Sequence, residues 1–265
     1  MTTPAASFDA APAAPGKAPA LWEDLIDVFT SPVAVFARRR DGRFWLALVA
    51  FTVIGALSLF AARPVLQLAV ERQVSAQIAK IQADPNVPAA QKEAVAGRMR
   101  GMADSPLGTA FGAVFLPVAV FATALTLWLV AKLFGSGAGF GQALAVTAIG
   151  GIPRAVLGLV VAGGSAIAGR QAGTIYGATA SPAAFLGPDA SPVVAALLSR
   201  LDLGVLWHTA LLGLGIAVMG RLVRRGGDGV EGTMTLGRGL AAAAVVWVLA
   251  TAVAVVQALQ QAPTA

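Results

Sequence analysis

Five long apolar runs, separated by short polar clusters, organise this chain: residues 44–62, 107–131, 142–168, 203–220 and 240–259. A bilayer core is crossed by about 20 residues in helix. Lipid offers the backbone no hydrogen bonds, so each run must satisfy its own as a helix. The pattern predicts an all-α, polytopic membrane bundle with about five transmembrane helices, occupying residues 21–259 as a single domain. Arg63-Pro64 is read as the stop of the first span, and Gly150, Gly151 and Pro153 as a helix break inside the third. Residues 65–105 mix both signs of charge with scattered aliphatics, and Asp84-Pro85-Asn86 divides them. They are expected to form an extramembrane helical hairpin after the first span. Residues 193–199 are expected to form a short helix before the fourth span.

The beginning of the chain differs. Residues 1–20 are rich in Ala and Pro, and the expectation is a disordered tail. In residues 21–29, Leu21, Trp22, Leu25, Ile26 and Phe29 recur at helical spacing, with Glu23, Asp24 and Asp27 on the other side. This predicts an amphipathic helix on the membrane surface, touching it through Trp22 and Phe29. Ser31-Pro32 then reads as a cap and a restart. Arg38, Arg39, Arg40 and Arg43 follow as a cluster able to attract anionic lipid.

Composition strengthens the membrane reading. Hydrophobic residues make up 57% of the chain and charged ones 12%, against about 25% charged in a soluble domain. The net charge of +6 sits beside the apolar runs, which marks it as a topology signal and argues against a nucleic-acid partner. Four arginines precede the first span, Lys132 follows the second, and Arg221, Arg224, Arg225 and Arg238 bracket the loop before the fifth. The expected orientation is N-terminus cytoplasmic and C-terminus external. Arg63, Arg72, Lys80, Lys92, Arg98 and Arg100 in the first external loop work against it. The bias to Ala and Arg suggests a GC-rich bacterial genome, hence a multi-pass protein of the bacterial inner membrane. Cysteine is absent and histidine occurs once, so thiolate chemistry and a multi-His metal site within one chain are excluded.

The sharpest candidate for chemistry is Arg154, which falls 12 positions into the apolar run of residues 142–168. An Arg at mid-membrane costs about 2.5–3.5 kcal/mol on translocon scales. Two readings follow. In the first, carbonyls freed by the Gly150–Pro153 break, or Asp202, hold the guanidinium as a structural group. In the second, the broken span is a substrate or ion site. Asp202 is expected to cap the fourth span, or else to reach Arg154. His208 is a possible proton carrier, though beside Trp207 it also fits a structural place. Together Arg154, Asp202 and His208 form a candidate intramembrane polar site. Gly135, Gly137, Gly139 and Gly141 lack the strand before and the Lys-Ser/Thr after that a phosphate loop requires. Gly158-x-x-x-Ala162 and Gly213-x-x-x-Ala217 have the spacing of close helix contacts. No catalytic motif and no cofactor site is recognised.

Phe29-Thr30-Ser31-Pro32 with Phe36, then Phe140-Gly141-Gln142-Ala143-Leu144 leading to Ile152-Pro153, then Leu201-Asp202-Leu203 with Leu206-Trp207 and Leu211, occur in that order around the spans. In this order of features the chain resembles the YIP family, the Ypt/Rab-GTPase-interacting membrane proteins, and its mixed-charge loop looks like that of bacterial members. The resemblance implies a five-span fold with a cytoplasmic N-terminus and a non-catalytic role as a membrane adaptor. The GTPase partnership of eukaryotic members does not carry over to bacteria, and the family supplies no role for Arg154. The expected function is therefore a scaffold or interaction protein that contacts the bilayer and a protein partner, with a homo-oligomer as an open alternative. The alternative is a small-solute or ion transporter or channel built around Arg154.

Overall fold

A computed structural model describes residues 21–220, 222–223, 230–231 and 234–261. The expected disordered tail, Arg221, Arg224 and Arg225 lie outside the described residues. The helices run in the order α1 (Leu21–Thr30), α2 (Pro32–Arg38), α3 (Trp45–Ala83), α4 (Ala89–Asp104), α5 (Pro106–Leu133), α6 (Phe140–Ile167), α7 (Pro192–Ser199), α8 (Leu203–Met219) and α9 (Leu236–Gln261). Between α8 and α9, β1 (Leu222–Val223) pairs antiparallel with β2 (Val230–Glu231). The protein is an all-α polytopic bundle. Helices α3, α5, α6 and α9 are each long and apolar enough to cross a membrane, and α7 and α8, bent by 50°, make a fifth crossing if counted as one span.

Helix α6 is the axis. Every residue from 143 to 153 is buried, and small residues bring the neighbouring helices close. A β-carbon on Gly151 would stand 2.9 Å from the Phe51 ring of α3, and one on Gly158 would stand 3.1 Å from Ser58 Oγ. These pairings run in the same direction along both chains, so α3 and α6 are parallel. On another side α8 runs antiparallel to α6: Gly150 faces Leu211, and Gly215 faces Val146. Gly213 meets Leu240 and Gly239 of α9, while Gly239 also meets Ala217. The Gly213-x-x-x-Ala217 spacing is thus a backbone-to-backbone seam, the geometry small residues permit in lipid.

Two predicted interruptions are absent. Helix α3 continues through Arg63-Pro64 for 39 residues, a length of about 58 Å. Helix α6 runs unbroken through Gly150, Gly151 and Pro153. Proline removes one N–H and one ladder bond, and packing on several sides outweighs that local loss. The glycines that looked like a break are the slots receiving Phe51 and Leu211. The hairpin does form: its first arm is the far half of α3, its turn is fixed by Asp84 Oδ1 accepting from Asn86 N at 2.9 Å, and α4 returns. Ser105 then starts α5 by accepting from Leu107 N, with Pro106 at the first helical position.

Helices α1 and α2 also depart from expectation. They fold back on each other and pack on α6 and α8. Phe36 of α2 lies against Gly215, Arg40 donates to the Val218 carbonyl, and Phe29 meets the Trp207 ring edge-on at 5.8 Å. Trp22, Ile26 and Phe29 are exposed, as the stripe predicted. Asp24, placed on the polar side by the sequence, is buried and binds both Arg38 (2.8 Å) and Arg39, while Arg38 also binds Asp27 at 2.6 Å. Pro32 does restart the helix, but the Ser31 side chain makes no capping bond.

Candidate functional site

The sequence-predicted polar residues meet halfway along the bundle. Arg154 leaves α6 one turn beyond Gly150, and its stem lies against the first turn of α8. A β-carbon on Gly204 would sit 3.1 Å from Arg154 Cγ and 3.1 Å from Asp202 Oδ1, so the glycine makes room for the arginine. Asp202 caps α8 by accepting from Val205 N at 3.0 Å, where a carboxylate also suits the positive end of the helix. Arg200, at the bend between α7 and α8, is fixed from α9: its Nε donates to Thr251 Oγ1 at 3.3 Å, and its carbonyl accepts from Trp247 Nε1 at 3.2 Å. His208 lies in the second turn of α8 with its Cδ2 beside Gly150. Its Nε2 is buried and has no hydrogen-bond partner among the described residues.

These side chains line one cavity of about 490 Å³ between α3, α5, α6 and α8. It reaches from Thr147 and His208 at one end to Leu66 and the α6–α7 loop at the other, where Tyr176 and Thr179 join the lining. The loop is drawn in by Leu203 N donating to the Ala180 carbonyl at 3.2 Å. Arg154 is exposed to this space. Among the described residues its guanidinium has no hydrogen-bonded or ion-paired partner, so the expected clasp of freed carbonyls is not formed. The reason is the unbroken α6, whose carbonyls stay within the helical ladder apart from the one Pro153 leaves. Asp202 lies in electrostatic range of both Arg154 and Arg200. Two guanidinium charges against one carboxylate leave the site positive, and the arrangement can hold an anion.

Arg154, Asp202 and His208 are therefore brought together, with Arg200 as a fourth member. Thr147, Ser58, Thr123 and Tyr176 were not picked out from the sequence. The available signal was polar side chains inside apolar spans, and the chain's single tyrosine. Gly150, Gly151 and Pro153 contribute packing. Arg38, Arg39, Arg40 and Arg43 lie elsewhere, toward the end of the bundle where Gln142 donates to the Arg40 carbonyl and Gly137 N to the Gly220 carbonyl, while Trp22 and Phe29 are exposed on α1 and Phe29 meets Trp207 of α8. Among the described residues no group of three potential metal ligands from His, Cys, Asp and Glu occurs. A larger space of about 900 Å³ lies between α3, α4 and α5. Its Arg63 is engaged by the Asp104 carbonyl.

Long apolar helices, small-residue seams and a polar cavity inside the bundle define a multi-pass α-helical membrane protein. Residues 26–264 match the family model described as the Yip1 domain. The chain belongs to that family. Compared with curated proteins and with solved structures, it gives no significant match.

Proposed function

We propose that this Yip1-domain protein is non-catalytic and works by admitting a small anionic ligand to the cavity around Arg154, as a carrier or channel of the bacterial inner membrane. The observation that carries this reading is an arginine in the middle of a membrane helix, open to a cavity and with no hydrogen bond or ion pair among the described residues. An ionisable group so placed is costly, and such groups in membrane proteins mark ligand and ion paths. A bend in the α7–α8 crossing at the same level fits the way transporters build sites from interrupted helices. The orientation we propose puts the Arg38–Arg43 end in the cytoplasm, from the rule that basic loops stay inside. The cavity then reaches toward the external side. The test is flux from proteoliposomes loaded with a panel of small anions. The reading predicts protein-dependent efflux of at least one anion, lost in Arg154→Gln. Absence of efflux for every anion would contradict it.

One observation favours the scaffold reading. Helix α3 exceeds the roughly 30 Å hydrocarbon core by nearly its own half-length, and with α4 it offers a charged helical hairpin to a protein partner. Deleting that hairpin at its turn residues separates the readings: a carrier keeps its flux, whereas a scaffold loses the partner co-purified after crosslinking in native membranes.

A further inference from the structure

We infer that the cavity around Arg154 binds a phosphate monoanion, either the phosphodiester of an anionic lipid headgroup that carries no cation of its own or free dihydrogen phosphate. The inference rests on reading this cavity as a ligand site and is independent of whether the ligand crosses the membrane. Charge sets the first limit. Arg154 and Arg200 supply two positive charges and Asp202 one negative, so a monoanion neutralises the site. Donor chemistry sets the second. A guanidinium is a planar fork that takes two oxygens at once, the geometry of phosphate and carboxylate recognition. The Arg154 fork, the Arg200 Nη atoms left free by the Nε–Thr251 bond and the Tyr176 hydroxyl bring donors from three residues, more than the two oxygens of a carboxylate or a single halide can meet at once. A tetrahedral oxyanion can meet donors on several sides. Asp202 is already committed through Oδ1 to the α8 cap, so it limits the charge without closing the site.

Size and walls agree. A volume of about 490 Å³ lies within the roughly 300–1,000 Å³ of small-ligand sites. Phe51, Leu59, Leu116 and Val120 from α3 and α5 make the remaining walls apolar. An anion bearing an apolar tail would place its charged group at Arg154 and its tail along those walls. Free phosphate would occupy the polar end alone.

The test uses the purified full chain in dodecyl maltoside, carrying Thr123→Cys in the cavity wall as its single cysteine. Four probes are compared: dihexanoyl phosphatidylglycerol, dihexanoyl phosphatidylcholine, sodium phosphate, and sodium chloride at matched ionic strength. Protection of the cysteine from a water-soluble thiosulfonate is followed against probe concentration. The expected result is saturable protection by phosphatidylglycerol, by phosphate, or by both, with phosphatidylcholine and chloride at least tenfold weaker. Protection by phosphatidylglycerol alone identifies a headgroup as the source, and protection by phosphate identifies the free anion. Arg154→Gln should weaken protection tenfold or more, while Arg98→Gln, an exposed position on α4, should not change it. If Arg154→Gln fails to fold, Arg200→Lys takes its place, since a lysine keeps the charge but loses the fork. Its expected weakening is tenfold for phosphate probes. The inference is overturned by equal protection from phosphatidylcholine, by no protection from either phosphate probe, or by protection that neither arginine variant weakens. Efflux of another anion without phosphate protection would sink the phosphate assignment and leave the transport reading standing. Phosphate protection without efflux would do the reverse.

Discussion

At the scale of single residues, two charges inside the bundle are handled in opposite ways. Asp24 is clasped by Arg38 and Arg39 from the next helix, so its desolvation is offset by charge and hydrogen bonds. Arg154 has no such clasp among the described residues. Its position in the middle of an apolar run was legible in the sequence, as was the helix-capping role of Asp202. Its environment was not, because the groups around it come from α3, α5, α8 and a loop far away in the chain. The Asp24 clasp was hidden for a related reason. On a helical wheel it belongs to the polar side, and only the fold-back of α2 turns that side inward. An unpaired arginine contributes little to folding and carries a cost, the pattern of a site kept for function at the expense of stability. The expected consequence is that Arg154→Gln, measured without ligand, melts in detergent at or above the temperature of the unaltered protein. A melting point lowered by several degrees would return Arg154 to a structural role.

At the scale of elements, spans were legible because hydropathy over about 20 residues is a property of the run itself. Their ends and breaks were less so. Pro64 was read as a stop and Pro153 as part of a break, yet α3 and α6 pass through both. A proline cancels one ladder bond, whereas the packing that holds these helices comes from partners the local sequence does not show. Glycines divide on the same ground. At Gly239 a β-carbon would stand 2.3 Å from the Gly213 carbonyl oxygen, while at Gly163 nothing lies within 4 Å. Backbone cannot step aside as a flexible side chain can, so Gly239→Ala must push α8 and α9 apart, at a cost of about 1–3 kcal/mol or more. Gly163→Ala removes backbone freedom from the unfolded chain and should be neutral or stabilising by up to about 1 kcal/mol. Paired melting curves of the two variants check this. Equal melting points would deny the close α8–α9 seam.

At the scale of the whole molecule, the bundle has two unlike ends. Arg38–Arg43, the α5–α6 turn and the end of α8 are joined by hydrogen bonds at one of them. The α6–α7 loop, folded toward the start of α8, occupies the other, and the cavity extends from mid-bundle toward it. Of the charges that suggested orientation in the sequence, Arg38–Arg43 and Lys132 share that first end. The cavity itself had no sequence signature beyond Arg154, Asp202 and His208, since it is a gap left between four helices. The central claim is that this gap is an externally reached site in the middle of a membrane protein. The chain has no cysteine, so Ser58→Cys in the cavity and Gly137→Cys in the α5–α6 turn can each be read alone. Spheroplasts are treated with a membrane-impermeant thiosulfonate before and after lysis. The account predicts that Ser58→Cys is modified in intact spheroplasts and that Gly137→Cys is modified only after lysis. Ser58→Cys protected in both conditions, or Gly137→Cys modified from outside, would contradict it.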